Sequence, residues 1–164
     1  MRVNSYTGIA MVIIFSTTLI LAVSNFPGYD PFKNYLSDLG VNENSSFYFN
    51  TGAILTGILG ILFAIKLNKP LFYTFVAASI GLIGVGIFHS KIETAHLVFA
   101  GIFFIFSAIT ILFESENKKG TEKYLLIATG LLPFAFILTF WPVVEHIAAT
   151  GILLFVLHTA CRKK

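Results

Sequence analysis

The 164-residue chain is predicted to be all-α, a polytopic membrane protein with six transmembrane helices and a short interfacial helix after the first. Three observations carry that expectation. Charged residues make up 12% of the chain and hydrophobic residues 56%, whereas a soluble domain carries about 25% charge. Polar side chains are therefore too few to cover a water-facing fold, and the mean hydropathy is +0.84. The apolar residues also gather into six runs, each close to the roughly 20 residues that a helix needs to cross a bilayer. Lys and Arg, finally, are divided very unevenly between alternate connections, as in polytopic membrane proteins. The length suits one domain over residues 1–164. The net charge of +3 and pI near 9.0 reflect short basic loops, and no nucleic-acid partner is expected. Cys161 is the only cysteine, which excludes an internal disulfide and any C-x-x-C motif.

The first span is expected from Thr7 to about Asn25. Arg2 followed by an apolar run, with small residues at Ala22-Val23-Ser24, also has the outline of a signal peptide. The run is longer than the usual core of about 7–15 residues. Next comes the longest polar interruption, Phe26 to Asn50, with Asp30, Asp38 and Glu43 among the eight acidic residues. Asp30 then Pro31 reads as an N-cap followed by a proline in the first helical position. Phe32, Tyr35, Leu36 and Leu39 recur at helical spacing, and Gly40 suits a helix end. Residues 31–39 are thus expected to form a short amphipathic helix in the interface, with Lys33, Asn34, Ser37 and Asp38 on its polar face. Asn44-Ser45-Ser46 has the form of a glycosylation sequon.

The second span is expected from Phe47 to Ile65, where Gly52, Thr56 and Gly60 form a small-residue stripe suited to close packing. The third runs from Leu71 to Phe88 and the fourth from Thr94 to Phe113, with the polar turn His89–Glu93 between them. Glu114 to Lys123 reads as a solvated, mixed-charge loop. The fifth span, Tyr124 to Trp141, contains Pro133, which removes a backbone bond and bends a helix. The sixth, Val143 to Cys161, opens with Glu145-His146 and ends in Arg162-Lys163-Lys164.

Nine of the eleven Lys and Arg residues fall on the N-terminus, the second and fourth loops and the C-terminus; Lys33 and Lys91 are the other two. The positive-inside rule then places both termini in the cytoplasm of a multi-pass cell-membrane protein. Asp38, His89, His96, Glu145 and His146 consequently gather at the outer surface, leaving His158 near the inner one.

Ionisable groups at membrane depth are expensive and usually face a bundle interior or a water-filled cavity. Three imidazoles, His89, His96 and His146, with the Asp38 carboxylate, would suit a divalent metal such as zinc. Glu145 would serve as base or orienting group for a metal-activated water, and Ser37 would contact substrate. Catalytic candidates are therefore Asp38, Glu145 and Ser37. No two of the histidines have a recognised metal spacing, and each residue singly is equally read as a headgroup contact. Glu93 and Glu145 also suit helix N-termini, where the macrodipole favours negative charge. Three functional classes stay open. One is metal-dependent hydrolysis of a lipid-like substrate. Another is a haem or quinone redox protein with His96 opposite His146. The third is non-enzymatic lipid binding or an accessory role. Transport is disfavoured, since no charged residue lies near the midplane.

At NYLSDLG, FYFNTG and the GIFHS…H pattern of residues 86–96, the chain resembles an uncharacterised integral-membrane family, domain of unknown function 998. Ser37, Asp38, Leu39, Gly40, Asn50, Gly52 and His96 sit on that pattern, and the resemblance implies a six-helix fold without a reaction. A more distant likeness is to the alkaline-ceramidase and adiponectin-receptor superfamily, zinc-dependent membrane hydrolases using three histidines and an aspartate. Asp38, His89, His96 and His146 could stand for that set. The departures are six helices in place of seven and no H-x-x-x-H in the last helix.

Overall fold

In hydrocarbon a backbone N–H or C=O has no water to bond, so a spanning segment must satisfy its own ladder. Each apolar run does so as a helix: α1 (Arg2–Ser24), α2 (Ser46–Ala64), α3 (Lys69–Ile87), α4 (Glu93–Glu116), α5 (Gly120–Thr139) and α6 (Pro142–Cys161). All six are long and apolar enough to cross a membrane. The computed structural model describes residues 2–90 and 92–162; Lys91 of the third connection and Lys163 and Lys164 of the basic tail lie outside the described residues.

Short connections force neighbours antiparallel, and each helix packs on the next in sequence, with α6 closing against α1. The result is a ring of six. One end, here the capped end, carries the connection between α1 and α2. The opposite, basic end carries both ends of the described chain. Large apolar side chains point outward all round the ring, Leu138 being 84% exposed and Ile20 65%, as expected where lipid is the solvent.

Without a hydrophobic drive between helices, close contact depends on small residues. Gly81 of α3 shows the tightest backbone approach: a Cβ there would lie 2.5 Å from Phe103 N and 2.9 Å from Phe99 O of α4. The same pair is bridged by the Thr110 and Thr74 hydroxyls, 2.8 Å apart. Two apolar clusters fill the ring. One, around Phe63, Phe104, Ile111 and Phe155, lies in its lower part; the other, around Phe15, Leu39, Phe49 and Leu82, lies beneath the cap.

Two expected segments fold differently. Residues 31–39 do not make one helix. The Asp30 carbonyl accepts from the Lys33 and Asn34 N–H groups, the Asp30 carboxylate accepts from Phe32 N–H, and Asn34 Oδ1 accepts from Asp30 N–H at 3.1 Å. That closed turn competes with the helical ladder. Tyr35 is extended, and only Leu36–Gly40 winds, as a 3₁₀ turn. The Asp30 carboxyl is held below its ordinary value by the Phe32 N–H and then by Lys33.

The second difference is at Glu114–Lys123. α4 runs on to Glu116 and α5 starts at Gly120, so the loop shrinks to residues 117–119. Glu114 is buried and accepts from Lys118 (3.3 Å) and Arg162, while Lys118 also bonds Glu122 (2.8 Å) and Glu122 meets His158 (3.0 Å). Charges expected in solvent instead pin α4, α5 and α6 together at the basic end.

Two outcomes are expected from thermal unfolding in detergent. Gly81→Ala should lower the midpoint sharply, because α4 backbone must move, whereas Gly101→Ala, with nothing within 4 Å of the added Cβ, should leave it unchanged or slightly raised. Glu114→Gln should destabilise by about 2 kcal/mol, the range for a lost hydrogen bond to a charged group. The exposed Glu116→Gln should change nothing measurable.

Candidate functional site

The cap is held by hydrogen bonds that the apolar surroundings make obligatory. Glu145, in the first turn of α6, is 6% exposed. Its Oε2 accepts the Leu36 N–H at 2.7 Å, and the Ser37 N–H faces the same carboxylate. Among the described residues it has no cationic partner. A buried carboxylate is thus satisfied by the backbone of the 3₁₀ turn. On the other side of the cap, Ser45 Oγ donates to Leu39 O at 2.7 Å and Asn50 Nδ2 to Gly40 O at 3.0 Å. The cap is thereby tied to α6 and to α2.

Two tyrosines add bolts. Tyr35 Oη donates to Phe140 O at 2.6 Å. Phe140 has a left-handed backbone, φ 47, a conformation rare and costly for an aromatic residue. It ends α5 and turns that carbonyl to the tyrosine. Tyr29 Oη lies 2.5 Å from His146 Nε2, while His146 Nδ1 lies 2.7 Å from Pro142 O. A carbonyl can only accept, so Nδ1 carries the proton, and in the neutral ring Nε2 accepts from Tyr29. Burial, followed by the Glu145 and Asp38 carboxylates, raises the Tyr29 hydroxyl above its ordinary tyrosine value, which keeps it a donor.

Beneath the cap lies a cavity. Leu36 and Ser37 roof it, His96 and Glu145 line its upper wall, and Phe15, Phe75, Phe103, Phe104 and Val156 line its depth. Every helix except α5 contributes a lining residue. His96 is 7% exposed, and its Nδ1 lies 2.8 Å from Phe88 O. In the neutral ring this leaves Nε2 as an acceptor. Glu145 and His96 therefore set hydrogen-bond acceptors at the top of an apolar chamber.

The sequence-predicted residues divide accordingly. Ser37, His96 and Glu145 come together on the cavity. Asp38 lies beside them, but its Oδ2 accepts the Tyr35 N–H at 2.8 Å. His146 is engaged at both ring nitrogens by the cap and by its own helix. His89 does not line the cavity, and its Nδ1 is buried without a partner. The expected ligand set of His89, His96, His146 and Asp38 is thus not assembled: among the described residues, no group of three His, Cys, Asp or Glu side chains is placed to hold a metal ion. The reason is local: Asp38 Oδ2 accepts from the Tyr35 N–H, and His146 is bonded at both ring nitrogens. Tyr35 read only as part of an apolar stripe and Tyr29 carried no signal, because their partners are more than a hundred residues away.

The fold and site together define an integral membrane protein, a six-helix ring with a capped internal cavity. The family model described as "Protein of unknown function (DUF998)" matches residues 9–161, and the chain belongs to that family. No curated protein and no solved structure matches it, and the ceramidase and adiponectin-receptor likeness has no such support.

The raised Tyr29 hydroxyl implies alkaline sensitivity with a definite sign. An acid whose folded pKa exceeds its unfolded one stabilises below the unfolded value, about 10 for tyrosine, and loses that contribution as pH rises. Thermal midpoints should therefore drop between neutral pH and pH values above about 10 more for wild type than for Tyr29→Phe.

Proposed function

We propose that this protein binds one amphipathic lipid inside the bundle, with the lipid's polar head against Glu145, His96 and Ser37 and its apolar body in the aromatic-lined chamber. The observation that carries this reading is the continuity of the cavity. It joins a buried carboxylate and imidazole, at one end, to the side chains of Phe75, Phe104 and Val156. Glu145 and Val156 are eleven residues apart on α6, about 16 Å at helical rise. A site apolar along its length with a few convergent polar groups is the usual form of a small-molecule site.

The polar end also selects the head. The Glu145 carboxyl oxygens and, in the neutral ring, His96 Nε2 offer acceptors, so a head with a donor suits them: a hydroxyl, an amine or an amide. A head that brings donors uses the acceptor capacity these two groups have left. Orientation completes the proposal. With nine of eleven basic residues on the opposite side, the capped end faces out of the cell and the lipid comes from the outer leaflet. Metal-dependent hydrolysis would require three of the candidate ligands on one ion, and their placement favours binding without it. The cap must lift or tilt to admit the ligand, and its hydrogen bonds make it the gate.

The test is organic extraction of detergent-purified protein followed by mass spectrometry. Wild type should yield a near-stoichiometric amphiphile with a hydroxyl, amine or amide head. Ala149→Phe, which projects a ring into the cavity one turn below Glu145, should lose it while unfolding at a similar temperature. Glu145→Gln should bind more weakly. Identical extracts from wild type and Ala149→Phe would refute the reading.

A further inference from the structure

We propose that the cavity contains a second polar subsite at its deep end, formed by the Thr56 and Ser107 hydroxyls. The bound amphiphile would accordingly carry a hydrogen-bonding oxygen partway along its apolar body. This rests on the lipid-binding reading above and narrows its substrate class.

A hydroxyl inside a membrane helix normally bonds back to the carbonyl one turn earlier. Several hydroxyls of this bundle follow that habit. Thr18 bonds Ile14 O at 2.9 Å, Ser79 bonds Phe75 O at 2.7 Å, Thr110 bonds Phe106 O at 2.7 Å and Thr150 bonds His146 O at 2.8 Å. Thr56 breaks it. Its Oγ1 is buried without a partner, the residue is 3% exposed, and it lines the cavity. Ser107, 4% exposed, lines the same cavity from α4. Thr159 is also unpartnered, but it does not line the cavity. Leaving a buried hydroxyl unsatisfied costs about 1–3 kcal/mol. The Thr56 hydroxyl is satisfied by a ligand oxygen, and Ser107 offers a further hydroxyl on the same chamber.

Depth sets where that oxygen lies. Glu145 and His96 are each three residues into their helices from the capped end, whereas Thr56 is ten residues into α2 and Ser107 fourteen into α4. At about 1.5 Å per residue the hydroxyls are some 10–16 Å below the head contacts. The ester oxygens of a glycerolipid sit beside its head and do not reach them. A chain or fused-ring body with a hydroxyl or keto group far from the head does.

The experiment compares two radiolabelled probes in equilibrium binding to detergent-purified full-length protein: a saturated long-chain alcohol, and the same alcohol with a second hydroxyl at mid-chain. Wild type should bind the diol about tenfold more tightly, the scale of one hydrogen bond. Thr56→Val, which keeps the shape, and Ser107→Ala should each erase most of that preference while leaving the simple alcohol's affinity and the thermal midpoint intact. Equal affinity for the two probes in wild type would overturn the subsite and leave the lipid reading standing. Binding of neither probe, or binding unaffected by Ala149→Phe, would overturn both.

Discussion

The contact between the Glu145 carboxylate and the Leu36 N–H is the interaction on which the capped end depends. An ionisable side chain at this depth in an apolar bundle is costly unless every lone pair is used. No described cation answers it, so the backbone of the 3₁₀ turn does. That single requirement brings the α1–α2 connection down onto α6. It places Leu36 and Ser37 as the roof of the cavity, and it sets an acceptor at the cavity's top. Removing the carboxylate would strand cap N–H groups; removing the turn would strand the carboxylate.

The other polar groups of the cap follow the same logic at smaller scale. Asp38 closes the turn on Tyr35 N–H, Tyr29 engages His146, and Tyr35 reaches the carbonyl of a left-handed Phe140. Each is a long-range or local bond that removes a polar atom from hydrocarbon. At the basic end the equivalent role falls to ions and an imidazole: Glu114, Lys118, Glu122, Arg162 and His158 join three helices. The ring is therefore fastened at both ends by polar contacts and packed between them by small residues such as Gly81. That division is what lets a cavity persist in its centre, because the ends hold the helices at fixed separation.

Much of the candidate site was visible in the chain as residue types without partners. Ser37, His96 and Glu145 were singled out by polarity against an apolar background, and they do share a wall. Asp38, His89 and His146 were grouped with them by topology, which places residues at one end of a bundle but says nothing of the direction of a side chain. Thr56 was read as part of a packing stripe, since Gly52 and Gly60 flank it at helical spacing; only the cavity shows that its hydroxyl lacks a partner. The mixed-charge run after α4 misled for a related reason, because a charge pattern is the same whether its partners are water or a neighbouring helix.

Composition and periodicity alone were enough to establish six membrane-crossing helices, their order, and the segregation of basic residues to one side. Those features follow from one-dimensional constraints: the length of a span, the scarcity of charge, and the need of each backbone to satisfy itself. The break of residues 31–39 into a turn and a 3₁₀ segment, the burial of Glu145 against Leu36, and the cavity between five of the six helices were settled only on folding. They depend on atoms far apart in the chain meeting at hydrogen-bond distance, and no local pattern encodes that distance.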